Sequence, residues 1–194
     1  MKIYFCRHGQ TTGDVEDRYG GDYDDHLTEL GLESSRELAE KLQGKNIEVI
    51  FSSPLLRAKE TAKCIQDKLG VAIKVVPELK ERNWYGVLTG MVKSDAGQKY
   101  PEQVEKLTNF RLTLDKGESY DDFCRRIKVG VDKITSSKHQ VVAAVIHGGV
   151  FKNIFREIFK TGEVKKIEDC GYIEVDWDGT KFTIIGLFGV EVIS

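Results

Sequence analysis

The chain has 194 residues, of which 40% are hydrophobic and 31% are charged, and its formal net charge is −2. This length fits one domain with one core, and no apolar run approaches the roughly 18 residues that cross a bilayer. The small negative charge gives no electrostatic reason to expect nucleic acid, whose binding depends on clustered lysine and arginine. We therefore expect a single domain over residues 1–194 that engages neither a membrane nor nucleic acid.

The four cysteines, Cys6, Cys64, Cys124 and Cys170, are far apart and form no Cys-x-x-Cys pair. They sit within apolar stretches, which is typical of reduced core residues rather than of disulfides or metal ligands. The N-terminus begins directly with a strand pattern and lacks the long apolar region of a signal peptide. These features predict a cytoplasmic protein.

Strand and helix patterns alternate along the chain. In order they are strand 3–6, helix 28–42, strand 49–51, helix 53–70, strand 71–76, helix 119–134, strand 141–146, helix 147–159 and a hairpin over 172–187. Ser53 and Pro54 supply an N-cap and a first-turn proline for the second helix. A loop rich in glycine and aspartate, residues 13–25, separates the first strand from the first helix.

This alternation predicts an α/β fold with three layers, in which helices cover both faces of a mostly parallel central sheet. Residues 141–146 are all apolar, as in a strand buried on both faces, so they are expected at the centre of the sheet. Residues 77–117 are more polar and less regular. We expect them to form a small irregular or helical insertion that covers the active site.

Polar side chains follow three predicted strands, with His8, Ser53 and His147 at the carboxyl ends. Ligands of open α/β sheets bind at that edge, so the three residues are expected to converge. Around His8, Arg7 adds a cation and Gly9 leaves the backbone unhindered. A cation beside a possible nucleophile suits a phosphate group.

Further residues extend this interpretation. Arg57 lies in the first turns of a helix, where the free N–H groups and the helix dipole already favour anions. The glycine pair that begins at Gly148 would let a phosphoryl group approach backbone N–H donors. Phosphoryl transfer to a histidine also needs a proton donor for the departing oxygen. Glu81 is the candidate, with Glu78 as the alternative.

The ordered set of motifs resembles the histidine phosphatase superfamily, also called phosphoglycerate mutase-like. Its blocks are Arg7-His8-Gly9 with Thr11, Leu27-Thr28-x-x-Gly31, Ser52-Ser53-Pro54-x-x-Arg57-Ala58-x-x-Thr61-Ala62, Glu81-Arg82 before Gly86, Gly117-Glu118-Ser119 and His147-Gly148-Gly149. Together these blocks span nearly the whole chain.

The resemblance implies a role for each central residue. His8 corresponds to the nucleophile, which becomes a phosphohistidine that water then cleaves. Arg7, Arg57 and His147 correspond to the phosphate pocket, and Glu81 corresponds to the proton donor. The resemblance implies no metal and no other cofactor.

Substrate contacts are expected from Gln10, Thr11, Asp14, Arg18 and Gly148. Asp14 departs from the family, which often carries asparagine there, so a possible negative charge replaces a neutral donor near the phosphate. His26 also stands where a proline or small residue is common. The block after Glu81 contains one extra residue, and substrate contacts in that block cannot be carried over.

The function predicted from these residues is metal-independent hydrolysis of phosphomonoesters of small metabolites. Mutases of the family usually carry a longer basic insertion than residues 91–114 provide, which favours the phosphatase branch. The alternatives are a phosphoglycerate mutase-type transfer, a protein or phosphohistidine phosphatase, and an inactive module that binds phosphorylated ligands. The sequence does not identify the physiological substrate or the oligomeric state.

Overall fold

A computed structural model describes residues 1–193, so Ser194 of the predicted domain lies outside the described residues. Its centre is one six-stranded sheet with the spatial order β3-β2-β4-β1-β5-β6. The strands are β1 (Lys2–Arg7), β2 (Val49–Ser52), β3 (Ala72–Val75), β4 (Val141–Ile146), β5 (Glu163–Trp177) and β6 (Phe182–Ile193). Strands β1 to β4 are parallel, whereas β5 and β6 run antiparallel to their neighbours. The predicted α/β class with a mostly parallel sheet is confirmed, and β4 is central as expected.

Seven α-helices surround the sheet within the described part of the chain. They are α1 (Thr12–Val15), α2 (Glu29–Leu42), α3 (Leu56–Leu69), α4 (Lys93–Lys99), α5 (Pro101–Lys106), α6 (Tyr120–Thr135) and α7 (Gly148–Asn153). α7 continues as a π-helical segment, Ile154–Phe159. Two short 3₁₀ helices, Pro77–Leu79 and Gly86–Leu88, follow β3.

Alternate residues of β1 enter two separate cores, because successive side chains of a strand point to opposite faces. Ile3 and Phe5 pack in the core that includes α6 and α7. Tyr4 and Cys6 pack in the core that includes α2 and α3. The helices therefore form one layer on each side of the sheet, as the sequence predicts.

Capping residues mark several helix ends, and the start of α3 differs from the prediction. The Thr28 and Ser119 hydroxyls accept hydrogen bonds from backbone N–H groups in the first turns of α2 and α6. Gly70 adopts the left-handed conformation that ends α3. The prediction that Ser53 caps α3 is wrong, because Ser53 N–H still donates to Val145 O of β4 and the extended backbone delays the helix to Leu56.

The predicted hairpin over 172–187 is present but longer, because β5 begins at Glu163 and β6 ends at Ile193. The other differences concern short elements. Loop 13–25 contains the end of α1, and β3 is shorter than the predicted strand 71–76. The segment 77–117 holds the two 3₁₀ helices together with α4 and α5. It has a small core of its own around Leu88, Ala96 and Leu114.

All four cysteines are free thiols, and Cys6 is buried in the core. Cys64, Cys124 and Cys170 are only partly buried, so the prediction of core residues holds fully for Cys6 alone. Among residues 1–193 no helix has the length and apolar character needed to cross a membrane.

Candidate active site

The register of the parallel strands brings the strand ends together. Arg7 of β1 lies opposite Ile146 of β4, so the next residues, His8 and His147, are neighbours. His8 N–H donates to Ile146 O at 3.2 Å, which continues the ladder by one residue. The two imidazole rings have centroids 5.0 Å apart and an interplanar angle of 58°. The predicted convergence of these two strand ends is present in the structure.

The hydrogen bonds of His8 assign its tautomer. Nδ1 lies 2.8 Å from Gly9 O, a carbonyl that can only accept, so Nδ1 carries the proton. Nε2 receives a hydrogen bond from Arg57 Nε at 3.2 Å and is therefore the nitrogen with the free electron pair. His8 is thus held as a neutral imidazole with Nε2 directed at a guanidinium group.

The surroundings of both histidines disfavour their charged forms. Burial, followed by the positive charges of Arg57 and Arg7, holds the pKa of His8 well below the ordinary 6.5. Burial and Arg57 also hold the pKa of His147 well below 6.5. Burial penalises an ion and nearby cations add repulsion, so both effects act in the same direction.

His147 is fully buried at the end of β4. Its Nε2 lies 2.6 Å from Ser53 Oγ, the polar group at the end of β2. Its Nδ1 has no hydrogen-bond partner among residues 1–193. One ring nitrogen is therefore fixed by a neighbouring strand, and the other is buried without a partner among the described residues.

Arg57 lies on α3 and is almost completely buried. Besides its contact with His8, Nη1 donates to Asp25 Oδ1 at 2.8 Å and to Tyr23 O at 2.9 Å. Nη2 donates to Gly21 O at 2.8 Å. The loop after α1 thus fixes the plane of the guanidinium group and leaves only Nε directed at the histidine.

Arg7 is held in a similar way from the other side. Nη1 donates to Ile167 O at 2.7 Å, and Nη2 lies 3.2 Å from Asp169 Oδ1. Both partners belong to an irregular part of β5, where the register with β6 shifts between Ile167 and Tyr172. Arg7 Nε is buried without a partner among the described residues. An unpaired buried N–H is costly, so this donor is suited to an anionic ligand.

Glu81 reaches the same place from the segment after β3. Its Oε2 accepts a hydrogen bond from Gly149 N–H at 2.8 Å, and its Oε1 accepts one from Arg82 N–H at 2.8 Å. A Cβ atom added to Gly149 would lie 2.4 Å from Glu81 Oε1. The sequence interpretation assigned both glycines to the approach of a phosphoryl group, whereas the structure uses Gly149 to make room for the Glu81 carboxylate. The alternative donor, Glu78, is turned away and pairs with Lys133 at 2.6 Å.

Arg7, His8, Arg57 and Glu81 line a cavity of about 490 Å³, whereas the fully buried His147 is not part of its lining. Of the predicted substrate contacts, Thr11, Asp14, Arg18 and Gly148 line it. Gln10 does not, because its Oε1 accepts a hydrogen bond from Thr28 Oγ1 at the start of α2.

Asp14 has an identifiable local role in this structure. Its Oδ2 accepts hydrogen bonds from Thr11 N–H at 2.9 Å and from Thr11 Oγ1 at 2.8 Å. The Thr11 hydroxyl in turn accepts a hydrogen bond from Asp14 N–H, which completes a capping box at the start of α1. Arg18 donates to Gly90 O at 2.7 Å and pairs with Glu16 at 2.5 Å. The loop that carries these residues is thereby tied to the segment 77–117.

Two residues that orient the arginines, Asp25 and Asp169, were not predicted as site residues. Ser53, which holds the second histidine, was expected at this edge of the sheet. The aspartate-rich loop is a sequence signal for Asp25, since buried arginines need carboxylate partners. Asp169 has no such signal, because only the irregular path of β5 brings it to Arg7.

Within residues 1–193, no group of three or more histidine, cysteine, aspartate or glutamate side chains is arranged to hold a metal ion. One donor, Arg57 Nε, contacts the unprotonated Nε2 of His8, and Arg7, which lines the same cavity, has its Nε buried without a partner among the described residues. Chemically, this arrangement can bind an anion and present a nucleophile to it.

Comparison with known proteins agrees with the geometry. The sequence model of the histidine phosphatase superfamily (branch 1) matches residues 3–188. A metal-independent phosphoserine phosphatase of Arabidopsis thaliana is 31% identical over 172 residues, covering 86% of this chain and 72% of the relative. A phosphoglycerate mutase-like protein of the same plant is 29% identical over 193 residues, covering 94% of this chain and 83% of the relative.

Among solved structures, the alpha-ribazole phosphatase of Shigella flexneri superposes with a TM-score of 0.84 at 22% identity. The match covers 100% of this chain and 98% of that one, and at this identity it supports the fold alone. The family match spans nearly the whole chain, so the protein belongs to the histidine phosphatase superfamily. Its relatives carry both phosphatase and mutase-like names.

Proposed function

We propose that this protein is a phosphatase that hydrolyses phosphomonoesters of small metabolites through a phosphohistidine on His8. The observation that carries the proposal is the neutral imidazole whose unprotonated Nε2 lies 3.2 Å from Arg57 Nε at the wall of the cavity. A free electron pair beside a cation is the arrangement that in-line attack on a phosphoryl group requires.

In the first step, His8 Nε2 attacks phosphorus, and the bond between phosphorus and the ester oxygen breaks. The departing oxygen takes a proton from the Glu81 carboxyl group. In the second step, a water molecule attacks the phosphohistidine and gives a proton to the Glu81 carboxylate. The bond from nitrogen to phosphorus breaks, inorganic phosphate leaves, and His8 and Glu81 return to their starting states.

The phosphate pocket is assigned to donors of Arg7, Arg57 and His147. Arg7 Nε has no partner among the described residues, and Arg57 Nε would transfer its hydrogen bond from His8 to a phosphoryl oxygen. When the Ser53 hydroxyl donates to His147 Nε2, the proton of the neutral His147 ring is on Nδ1, which then becomes a third donor. Such donors stabilise charge on the equatorial oxygens during transfer.

A small substrate is supported by the walls of the cavity. Trp84 and Tyr85 of the segment 77–117 cover one side, and the loop that carries Tyr23 and Asp25 closes another. Thr11 and Arg18 are proposed to contact the part of the substrate beyond the phosphate. A volume of about 490 Å³ is typical of sites for small molecules.

A mutase is the second candidate, and the mutase-like name of one relative favours it. In that reaction the phosphohistidine would give its phosphoryl group to a bound product instead of to water. The two reactions share His8, the arginines and Glu81, so they differ only in the molecule that accepts the phosphoryl group. Release of inorganic phosphate is therefore the deciding measurement.

The test uses the purified chain with a panel of sugar, acid and amino-acid phosphates in the presence of a metal chelator. We expect release of inorganic phosphate, and a phosphoryl group trapped on the wild-type protein by rapid alkaline quenching. His8→Ala should abolish both signals. His139→Ala is the matched control, because His139 precedes β4 at the opposite edge of the sheet and should retain activity.

Each alternative has its own result. Dependence on a bisphosphorylated primer with negligible phosphate release would replace the phosphatase by a mutase. Turnover of phosphorylated peptides alone would indicate a protein phosphatase, and tight binding without a trapped intermediate would indicate a binding module. Activity lost with the chelator and restored by a metal ion would contradict the metal-independent mechanism.

A further inference from the structure

The side chain of Arg126 in α6 forms hydrogen bonds with the backbone of the segment that carries Glu81. Its Nη1 donates to Glu78 O at 2.7 Å and to Lys80 O at 2.8 Å, and its Nη2 lies 3.5 Å from Glu81 O. One guanidinium group therefore binds carbonyl oxygens from three of four consecutive residues. No regular helix or strand fixes residues 80–82, so these contacts define their path.

Glu118 holds Arg126 in this position. Its two carboxylate oxygens accept hydrogen bonds from Arg126 Nε at 2.8 Å and Nη2 at 2.6 Å. Paired parallel hydrogen bonds of this kind fix the plane of a guanidinium group. Both side chains are about four-fifths buried, which limits screening by water.

The backbone beside Glu118 contacts the same segment. Arg82 Nε donates to Glu118 O at 3.1 Å, and Glu118 N–H donates to Asn83 O at 2.8 Å. Gly117 allows this approach, because an added Cβ would lie 3.1 Å from Asn83 O. The Gly117-Glu118-Ser119 block therefore precedes and caps α6, and its backbone also forms hydrogen bonds with residues 82–83.

We propose that Arg126, oriented by Glu118, is a positioning residue that places Glu81 for proton transfer. The inference rests on the proposed function, in which Glu81 is the donor. At its side-chain end, Glu81 is fixed by backbone N–H groups, including that of Gly149. At its backbone end, Arg126 supplies the donor, and hydrogen-bonding geometry for proton transfer tolerates little displacement.

The test compares two substrates of different leaving-group basicity. The first is p-nitrophenyl phosphate, whose phenolate departs without a proton, and the second is the best alkyl phosphate of the substrate panel. We expect Arg126→Met to lower kcat/KM, which reports the transfer to His8, for the alkyl ester about tenfold or more beyond its effect on the aryl ester, since general acid catalysis contributes roughly 10²–10⁴-fold. Because the ratio of the two rates cancels the amount of folded enzyme, partial unfolding cannot imitate this result.

Arg125→Met is the matched control. Arg125 is the adjacent residue of α6, is exposed, and pairs with Asp122 at the surface. For Arg125→Met, the ratio of the rates on the alkyl and aryl esters should equal that of the wild type. If Arg126→Met does not yield protein, Glu118→Gln replaces it, with a smaller change of the ratio in the same direction. An equal loss on both substrates in the Arg126 or Glu118 variant, when Glu81→Gln shows the selective loss on the alkyl ester, would overturn the positioning role.

A second measurement separates this proposal from the proposed function. The amide signal of Gly149 in a ¹⁵N spectrum reports the Glu81 carboxylate that accepts its hydrogen bond. We expect Glu81→Gln and Arg126→Met to shift this signal, and Arg125→Met to leave it in place. An unmoved signal in Arg126→Met would refute positioning by Arg126. A shifted signal combined with an equal loss on both substrates in Glu81→Gln would refute Glu81 as the proton donor and leave the positioning intact.

Discussion

At position 149, a hydrogen atom in place of a side chain decides where the Glu81 carboxylate lies. Glu81 accepts the Gly149 N–H and occupies the space that a Cβ would need. Arg7 and Arg57 likewise depend on other residues, because Asp169 and Asp25, together with backbone carbonyl groups, set their orientation. The chemistry of the site therefore depends on residues outside the reacting set.

Gly149→Ala should lower activity on alkyl phosphates by roughly 10-fold or more, because the added methyl group displaces a carboxylate whose proton transfer is worth roughly 10²–10⁴-fold. Steady-state kinetics on the best substrate of the panel measure the effect. Gly97→Ala is the control, since a Cβ at Gly97 of α4 meets no atom within 4 Å. Unchanged kcat in Gly149→Ala would show that the Glu81 position is not needed.

The buried histidines predict a loss of stability in acid. His8 and His147 have folded-state pKa values well below 6.5, so the unfolded chain binds more protons as the pH falls below about 6.5. Their contribution to stability is present above that pH and declines below it, by up to about 1.4 kcal/mol per pH unit for each histidine. Urea denaturation between pH 7.5 and 5 measures the slope. His147→Gln should reduce it, and an unchanged slope would contradict the assignment.

At the scale of elements, the helix α6 was predicted accurately from the sequence. Its apolar stripe has helical spacing, and Ser119, where the predicted helix begins, caps its first turn. The start of α3 could not be predicted, because Ser53 is kept extended by β4, which is distant in sequence. Local patterns thus identify an element, whereas its boundary depends on the neighbouring strand.

Two valines of α6 test the orientation of this helix. Val131→Ala should destabilise the protein by about 1.5–3 kcal/mol, because Val131 is 2% exposed in the core. Val129→Ala makes the same chemical change at a side chain that is 47% exposed and should alter stability by about 0.5 kcal/mol or less. Chemical denaturation of both variants gives the comparison. Equal losses would mean that α6 faces the sheet differently.

For the molecule as a whole, the net charge of the chain is negative, whereas the charge around the cavity is positive. The chain carries −2 overall, yet the cavity is lined by seven basic and three acidic side chains. The arginine and lysine side chains come from distant parts of the chain, so composition does not show this concentration. A field of this kind attracts anionic substrates over distances comparable to the Debye length.

Activity should accordingly fall with ionic strength. Between about 0.02 M and 0.5 M sodium chloride, we expect kcat/KM for a phosphorylated substrate to decrease about 3- to 10-fold, because screening weakens attraction to the cavity. The value of kcat serves as the internal control and should change much less, since the bound state is shielded. A salt-independent kcat/KM would show that the charge of the cavity does not assist binding.

The sequence by itself determined the fold class, the helix stripes and the residues at the ends of the strands. It could do so because alternation, helical spacing and capping are local properties of the chain. Only the tertiary structure decided that Asp25 and Asp169 orient the two arginines, that Gly149 makes room for Glu81, and that Gln10 turns towards Thr28. These contacts join residues that are far apart in the sequence. The register of the strands and the irregular path of β5 bring them together, and a local sequence pattern cannot predict such contacts.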